Sequence, residues 1–86
     1  MITLNNIKDA RKNLENIAIN TPIAKAPILS KELNAQIYLK KENLQLTGSF
    51  KLRGAFNKVA TLSKKQKDNG VVAASAGNHA QGLAYA

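Results

Sequence analysis

The chain has 86 residues, 44% hydrophobic and 21% charged, the balance of a folded protein rather than a disordered one. That length allows one small domain at most, and the scarcity of aromatic residues leaves any core to Ile, Leu, Val and Ala. The formal net charge is +8 and is unevenly placed, with nine cations and two anions between residues 31 and 67.

The absence of cysteine excludes disulfide frameworks and thiolate metal sites. No run of about 18 apolar residues suggests a membrane span, and the first residues lack the regions of a signal peptide. A cytoplasmic protein with no membrane partner is expected. A basic middle can attract nucleic acid. Arg is scarce, however, and no aromatics are interleaved with the cations, so a solvated lysine-rich surface is the plainer reading and no nucleic-acid partner is expected.

Leu4, Ile7, Leu14 and Ala18 fall at helical spacing, with Thr3 or Asn6 as cap. Thr21-Pro22 should end that helix, because a residue before Pro avoids the helical region. Ile28-Leu29 reads as a short extended piece, and Ser30 as the cap of a brief helix from Lys31 to Asn34. Gln36 to Lys40 reads as a strand with Ile37 and Leu39 on one face. After a loop from Asn43 to Gly48 the period changes. Leu52, Ala55, Phe56, Val59 and Ala60 form one face of a helix. Ser63 to Gln66 fits a capping box that opens another short helix, and Asn69-Gly70 is a stop signal. Val71 to Ala74 reads as a buried strand. A tight turn from Ser75 to Asn78 then leads into a helix that still runs at Ala86. This alternation is the pattern of an open α/β sheet. With two or three strands and no cover, it is expected to be a truncated sheet, and residues 1–86 an incomplete N-terminal part of a larger catalytic region.

Two segments carry chemistry. In Thr47-Gly48-Ser49-Phe50-Lys51-Leu52-Arg53-Gly54-Ala55, a lysine falls in the first turn of a helix. The positive end of a helix dipole disfavours an ammonium group there, and a neutral amine is what Schiff-base chemistry needs. Phe50 can shield the amine or lie against a flat ring. The plainer alternative is an exposed side chain. In Ser75-Ala76-Gly77-Asn78-His79-Ala80-Gln81-Gly82, a turn follows an apolar run and opens a helix. Its backbone N–H groups and the helix dipole suit a carboxylate or phosphate. The plainer alternative is that Asn78 caps the helix and Gly77 makes the turn. His79 has no partner at metal-ligand spacing, so no metal is expected. Gly54 and Gly82 both lie on helices, where close helix–sheet packing is the simplest reason for a glycine.

Together the two segments resemble the serine/threonine dehydratases. Glu42, followed after four residues by Thr47 to Ala55, resembles the family's pyridoxal-phosphate attachment signature, and Ser75 to Gly82 resembles its substrate loop. Thr21-Pro22-Ile23 and Tyr38 to Asn43 match in order and spacing. The resemblance implies the fold type II architecture of pyridoxal-phosphate enzymes, similar to the tryptophan synthase β subunit, with the cofactor between two α/β domains. It implies Lys51 as the Schiff-base lysine, Phe50 packed on the cofactor ring and Asn78 bonded to the ring hydroxyl. Ser75, Ala76, Gly77, Asn78 and His79 would surround the substrate carboxylate.

The implied reaction is β-elimination from an amino acid, giving 2-oxobutanoate and ammonia from L-threonine and pyruvate from L-serine. The implied assembly is a homodimer or homotetramer. His79 stands where cysteine synthase relatives usually have Thr. Ala76 stands where serine racemases of the family tend to have Ser, which favours a dehydratase over a serine racemase; a hydroxyaspartate dehydratase is a further alternative. A nucleic-acid-binding module is the distant alternative from another class. The family's glycine-rich phosphate loop and its partner for the pyridine nitrogen lie further along the chain, so residues 1–86 alone are expected to be inactive.

Overall fold

A computed structural model describes residues 1–86. The first helix, α1 (Leu4–Asn13), opens with a capping box: the Asn6 N–H donates to the Thr3 hydroxyl and the Thr3 N–H donates to the Asn6 side chain. It ends well before Pro22. Leu14 is the C-cap, and Asn16 takes a left-handed conformation (φ 62°) that no helix continues through.

Strand β1 (Ile23–Lys25) pairs antiparallel with β2 (Tyr38–Lys40), Ala24 opposite Leu39. Between them α2 (Pro27–Glu32) takes in Ile28 and Leu29, which the sequence reading placed in an extended piece. Pro27 decides this: its fixed φ and missing N–H suit the first helical position. Ser30 therefore sits inside the helix and not at its start. Its hydroxyl accepts from the Ile37 N–H at 3.0 Å, fastening α2 to the entry of β2.

A 3₁₀ turn (Glu42–Leu44) follows β2 and leads to α3 (Lys51–Ala60). The short α4 (Lys64–Asp68) carries the expected Ser63–Gln66 capping box, and Gly70 (φ 77°) closes the turn after it. The last helix is α5 (Asn78–Tyr85). No helix is long and apolar enough to cross a membrane.

The core is small and belongs to α3. Leu52 is fully buried and Ala55 nearly so, the only buried apolar side chains. The radius of gyration is 15.9 Å, against about 12 Å for a compact chain of this length. Most apolar side chains are therefore not closed over by these residues.

The expected strand at Val71–Ala74 shows why. The segment forms no strand and makes no backbone hydrogen bond, and Val72 is 96% exposed. A strand exists only through its neighbours, and none of the 86 residues supplies one. The sheet that does form is antiparallel, so the parallel arrangement expected from the alternation is not made within these residues. The 86-residue polypeptide made alone is expected to bind a hydrophobic dye and to self-associate; a monomeric, dye-silent polypeptide in light scattering would contradict this.

Candidate active site

Lys51 is the first residue of α3, Phe50 is its N-cap, and the Lys51 N–H donates to the Ser49 hydroxyl at 3.4 Å. The Lys51 ammonium lies 4.8 Å from the centre of the Phe50 ring, within cation–π range. Both side chains are exposed. The loop before them is held from beneath: Ser49 is buried, and Gly48 turns with φ 69°. A Cβ at Gly48 would meet nothing within 4 Å, so its backbone angle and not a close approach explains that glycine. The Thr47 hydroxyl is buried without a hydrogen-bond partner.

The Ser75–Asn78 turn is built around one hydroxyl. Ser75 Oγ accepts from the Gly77 N–H and from the Ala80 N–H, each at 3.1 Å. Both lone pairs are then in use, which leaves the Ser75 proton free to donate outward. Asn78 does not cap α5. Gly77 occupies the N-cap with φ 158° and ψ −78°, and Ser75 does the capping from two residues upstream. The Asn78 amide makes no hydrogen bond, and the backbone N–H groups of Asn78 and His79 have no acceptor. Ala76, Gly77, Asn78 and His79 are exposed. Free N–H groups at the positive end of a helix favour an anion.

The two segments meet through Gly82. It is buried, and a Cβ there would lie 3.0 Å from the Lys51 carbonyl carbon and 3.1 Å from both the Lys51 oxygen and the Leu52 nitrogen. Helix α5 thus rests directly on the first peptide of α3, a helix–helix contact and not the helix–sheet contact expected. At Gly54 nothing lies within reach of a Cβ, so close packing is not its reason. Asn78 is four residues from Gly82, about 6 Å along the helix axis.

Sequence reasoning missed what fastens α3. Arg53 grips Glu42 with two bonds, Nε to Oε2 at 2.9 Å and Nη2 to Oε1 at 2.8 Å. The Thr21 hydroxyl donates to Glu42 as well. Arg53 and Gln45 both donate to the Ile19 carbonyl, while the Ile19 N–H donates to the Gln45 side-chain oxygen. Thr21 and Gln45 are buried, and Lys40 donates to the Thr21 carbonyl. The Arg53 bonds hold the Glu42 carboxyl at about 2 against an ordinary 4.5, overcoming the opposing effect of burial, with Thr21 assisting. The same pair raises Arg53. The only available signal was that Thr21, Glu42 and Arg53 all fall within the segments that carry the resemblance.

The larger of the two principal clefts, about 720 Å³, lies between α1 and α3 and is lined by Ile7, Leu14, Gly54 and Asn57 among others. The smaller, about 290 Å³, lies among α3, residues 71–73 and α5. His79 alone of the expected site residues lines either one. Cleft size therefore does not locate this site. Both clefts follow the uncovered apolar faces.

The family profile described as pyridoxal-phosphate dependent enzyme matches residues 14–86. The chain belongs to the pyridoxal-phosphate-dependent enzyme family. It is 57% identical over its whole length to the L-threonine ammonia-lyase of Thermotoga maritima, of which it covers 21%. It is 48% identical over 85 residues to the biosynthetic L-threonine dehydratase of Bacillus subtilis, covering 99% of this chain and 20% of that one. Among solved structures, the serine racemase from Dictyostelium discoideum superposes with a TM-score of 0.87 at 42% identity, over 98% of this chain and 28% of that one. The processed form of threonine deaminase isoform 2 from Solanum lycopersicum superposes with a TM-score of 0.71 at 39% identity, over 96% of this chain and 24% of that one. The chain spans about a fifth of the length of the curated relatives it matches. The α/β class and the fold type II kinship expected from the sequence stand.

The residues present fit the family's cofactor. A flat, aldehyde-bearing ring needs a reachable amine, an open aromatic or apolar face and polar groups not already in use. Lys51, Phe50 and Asn78 supply these in turn, and the orphaned Thr47 hydroxyl lies in the same loop. No phosphate-binding loop is found among the 86 residues.

Proposed function

We propose that this chain is the lysine-bearing N-terminal part of a lyase that eliminates water from L-threonine, giving 2-oxobutanoate and ammonia, and from L-serine, giving pyruvate. The contact of Gly82 with the Lys51–Leu52 peptide carries this reading, because it joins the amine and the anion-binding turn in one rigid unit.

In this reading Lys51 would hold the cofactor through its amine, with the Phe50 ring available to its flat face and the Asn78 amide to a polar group on it. The Ser75 proton and the free N–H groups of Asn78 and His79 take the substrate carboxylate, which fixes the Cα–H bond in one direction. Bound pyridoxal phosphate supplies an electron sink for the Cα electron pair. The Lys51 amine would accept the Cα proton, and the β-hydroxyl would take up a proton as it leaves as water. The released enamine becomes an imine and hydrolyses to the 2-oxoacid and ammonia.

Ala76 favours elimination over racemisation. Its methyl group cannot accept or donate a proton, so it offers no second proton-transfer group beside Lys51. The likeness to the Dictyostelium serine racemase favours the second reading, a racemase of the same fold. Assays of the full-length protein with L-threonine, L-serine and D-serine separate the two. Formation of 2-oxobutanoate from L-threonine as the dominant activity is expected. Interconversion of serine enantiomers without 2-oxoacid would favour the racemase, and neither product would sink both. The purified 86-residue polypeptide is expected to form no 2-oxoacid, because it contributes one wall of a cleft and no phosphate loop.

A further inference from the structure

Gly82 sits in the middle of α5, where glycine costs about 1 kcal/mol against alanine. Its surroundings explain why it is there. The three atoms nearest to an added Cβ, at 3.0–3.1 Å, all belong to the backbone of Lys51 and Leu52. A backbone cannot swing aside as a side chain can. Leu52 is fully buried, so moving its backbone would disturb the only fully buried side chain of the core. Any side chain at position 82 must therefore displace α5 from α3 by a few tenths of an ångström. One helical turn away, α5 begins at the Ser75-capped turn.

We propose that Gly82 is a positioning residue for Lys51. The approach it permits sets the spacing between the Lys51 amine and the Ser75–His79 turn, and so between the proton acceptor and the groups that hold the substrate carboxylate. This rests on the reading of Lys51 given above. It adds that a residue which meets neither substrate nor cofactor governs their geometry through a main-chain contact.

The test uses the full-length protein, wild-type and Gly82→Ala, with titration of pyridoxal phosphate into the apoprotein alongside steady-state kinetics. Gly82→Ala is expected to weaken pyridoxal phosphate binding and to lower kcat, each by roughly tenfold, with KM changing less. Ser63→Ala serves as the control, because it removes the distant α4 cap. It should lower Tm while leaving cofactor affinity and kcat at wild-type values. A folded Gly82→Ala protein with wild-type affinity and kcat overturns the proposal. If Gly82→Ala does not fold, Leu83→Val decides: Leu83 lines the cleft between α5 and α3 with Ala55 and Val59, so the smaller side chain loosens α5 on α3 without a clash. Weaker cofactor binding supports the proposal, and wild-type binding overturns it. Failure of the underlying reading shows separately, as a wild-type protein that binds no pyridoxal phosphate or binds it at another lysine.

Discussion

Lys51→Ala in the full-length protein should lower 2-oxoacid formation from threonine by about 10³-fold or more and remove the visible absorbance of bound cofactor. The expectation rests on where the side chain stands. Lys51 makes no hydrogen bond through its amine; its one contact is the exposed Phe50 ring. Losing that contact costs about 0.5–1 kcal/mol at an exposed site, so the fold should survive. No neighbour can replace it. Arg53 is tied to Glu42 and does not deprotonate, and Lys58 lies near the other end of α3. Lys51→Arg sharpens the result: it keeps the charge and the ring contact but offers no amine for a Schiff base, and it should be as inactive as Lys51→Ala. Persistent absorbance in either variant would move the assignment to another lysine.

Glu42→Gln is expected to produce the largest change in stability. The Glu42 side chain is only 14% exposed and holds Arg53 through two bonds. A carboxyl held at about 2 in place of 4.5 stabilises the fold at neutral pH, by about 1–2 kcal/mol once solvent screening at the one-third-exposed Arg53 is allowed for. The direction with pH follows from the lowered value. The unfolded carboxyl takes up a proton near 4.5 and the folded one only near 2. The stabilisation is thus fully present above the first value and lost as pH falls through the second. Chemical denaturation should show a wild-type advantage of about 1–2 kcal/mol at pH 7, narrowing below about pH 4.5 and closing near pH 2. An advantage independent of pH would show that the ion pair is not its source. Because Arg53 is on the first turn of α3, two residues from Lys51, cofactor affinity should fall in the same variant.

These two effects differ in how far they could be read before the fold was known. Lys51, the Ser75–Gly82 turn, the helix of Leu52 and Ala55, the cap at Thr3 and the Ser63 capping box are local patterns. Each is decided by residues a few positions apart, and the capping bonds at Thr3 and Ser63 formed as their spacing required. Ile28-Leu29 was misjudged because two apolar residues fit either state, and Pro27 tipped them into α2.

What only the tertiary structure decided involves distance along the chain. Glu42 and Arg53 stand 11 positions apart, and Gln45 reaches back 26 to Ile19. Neither pairing leaves a periodic mark. Val71–Ala74 has the composition of a strand, but strand bonds come from neighbouring segments, and here there are none. The sequence alone determined which residues have the chemistry: an amine at a helix start and a turn suited to an anion. The tertiary structure decided that they belong together. Helix α5 can rest on the Lys51 peptide only because position 82, 31 residues away, carries no side chain.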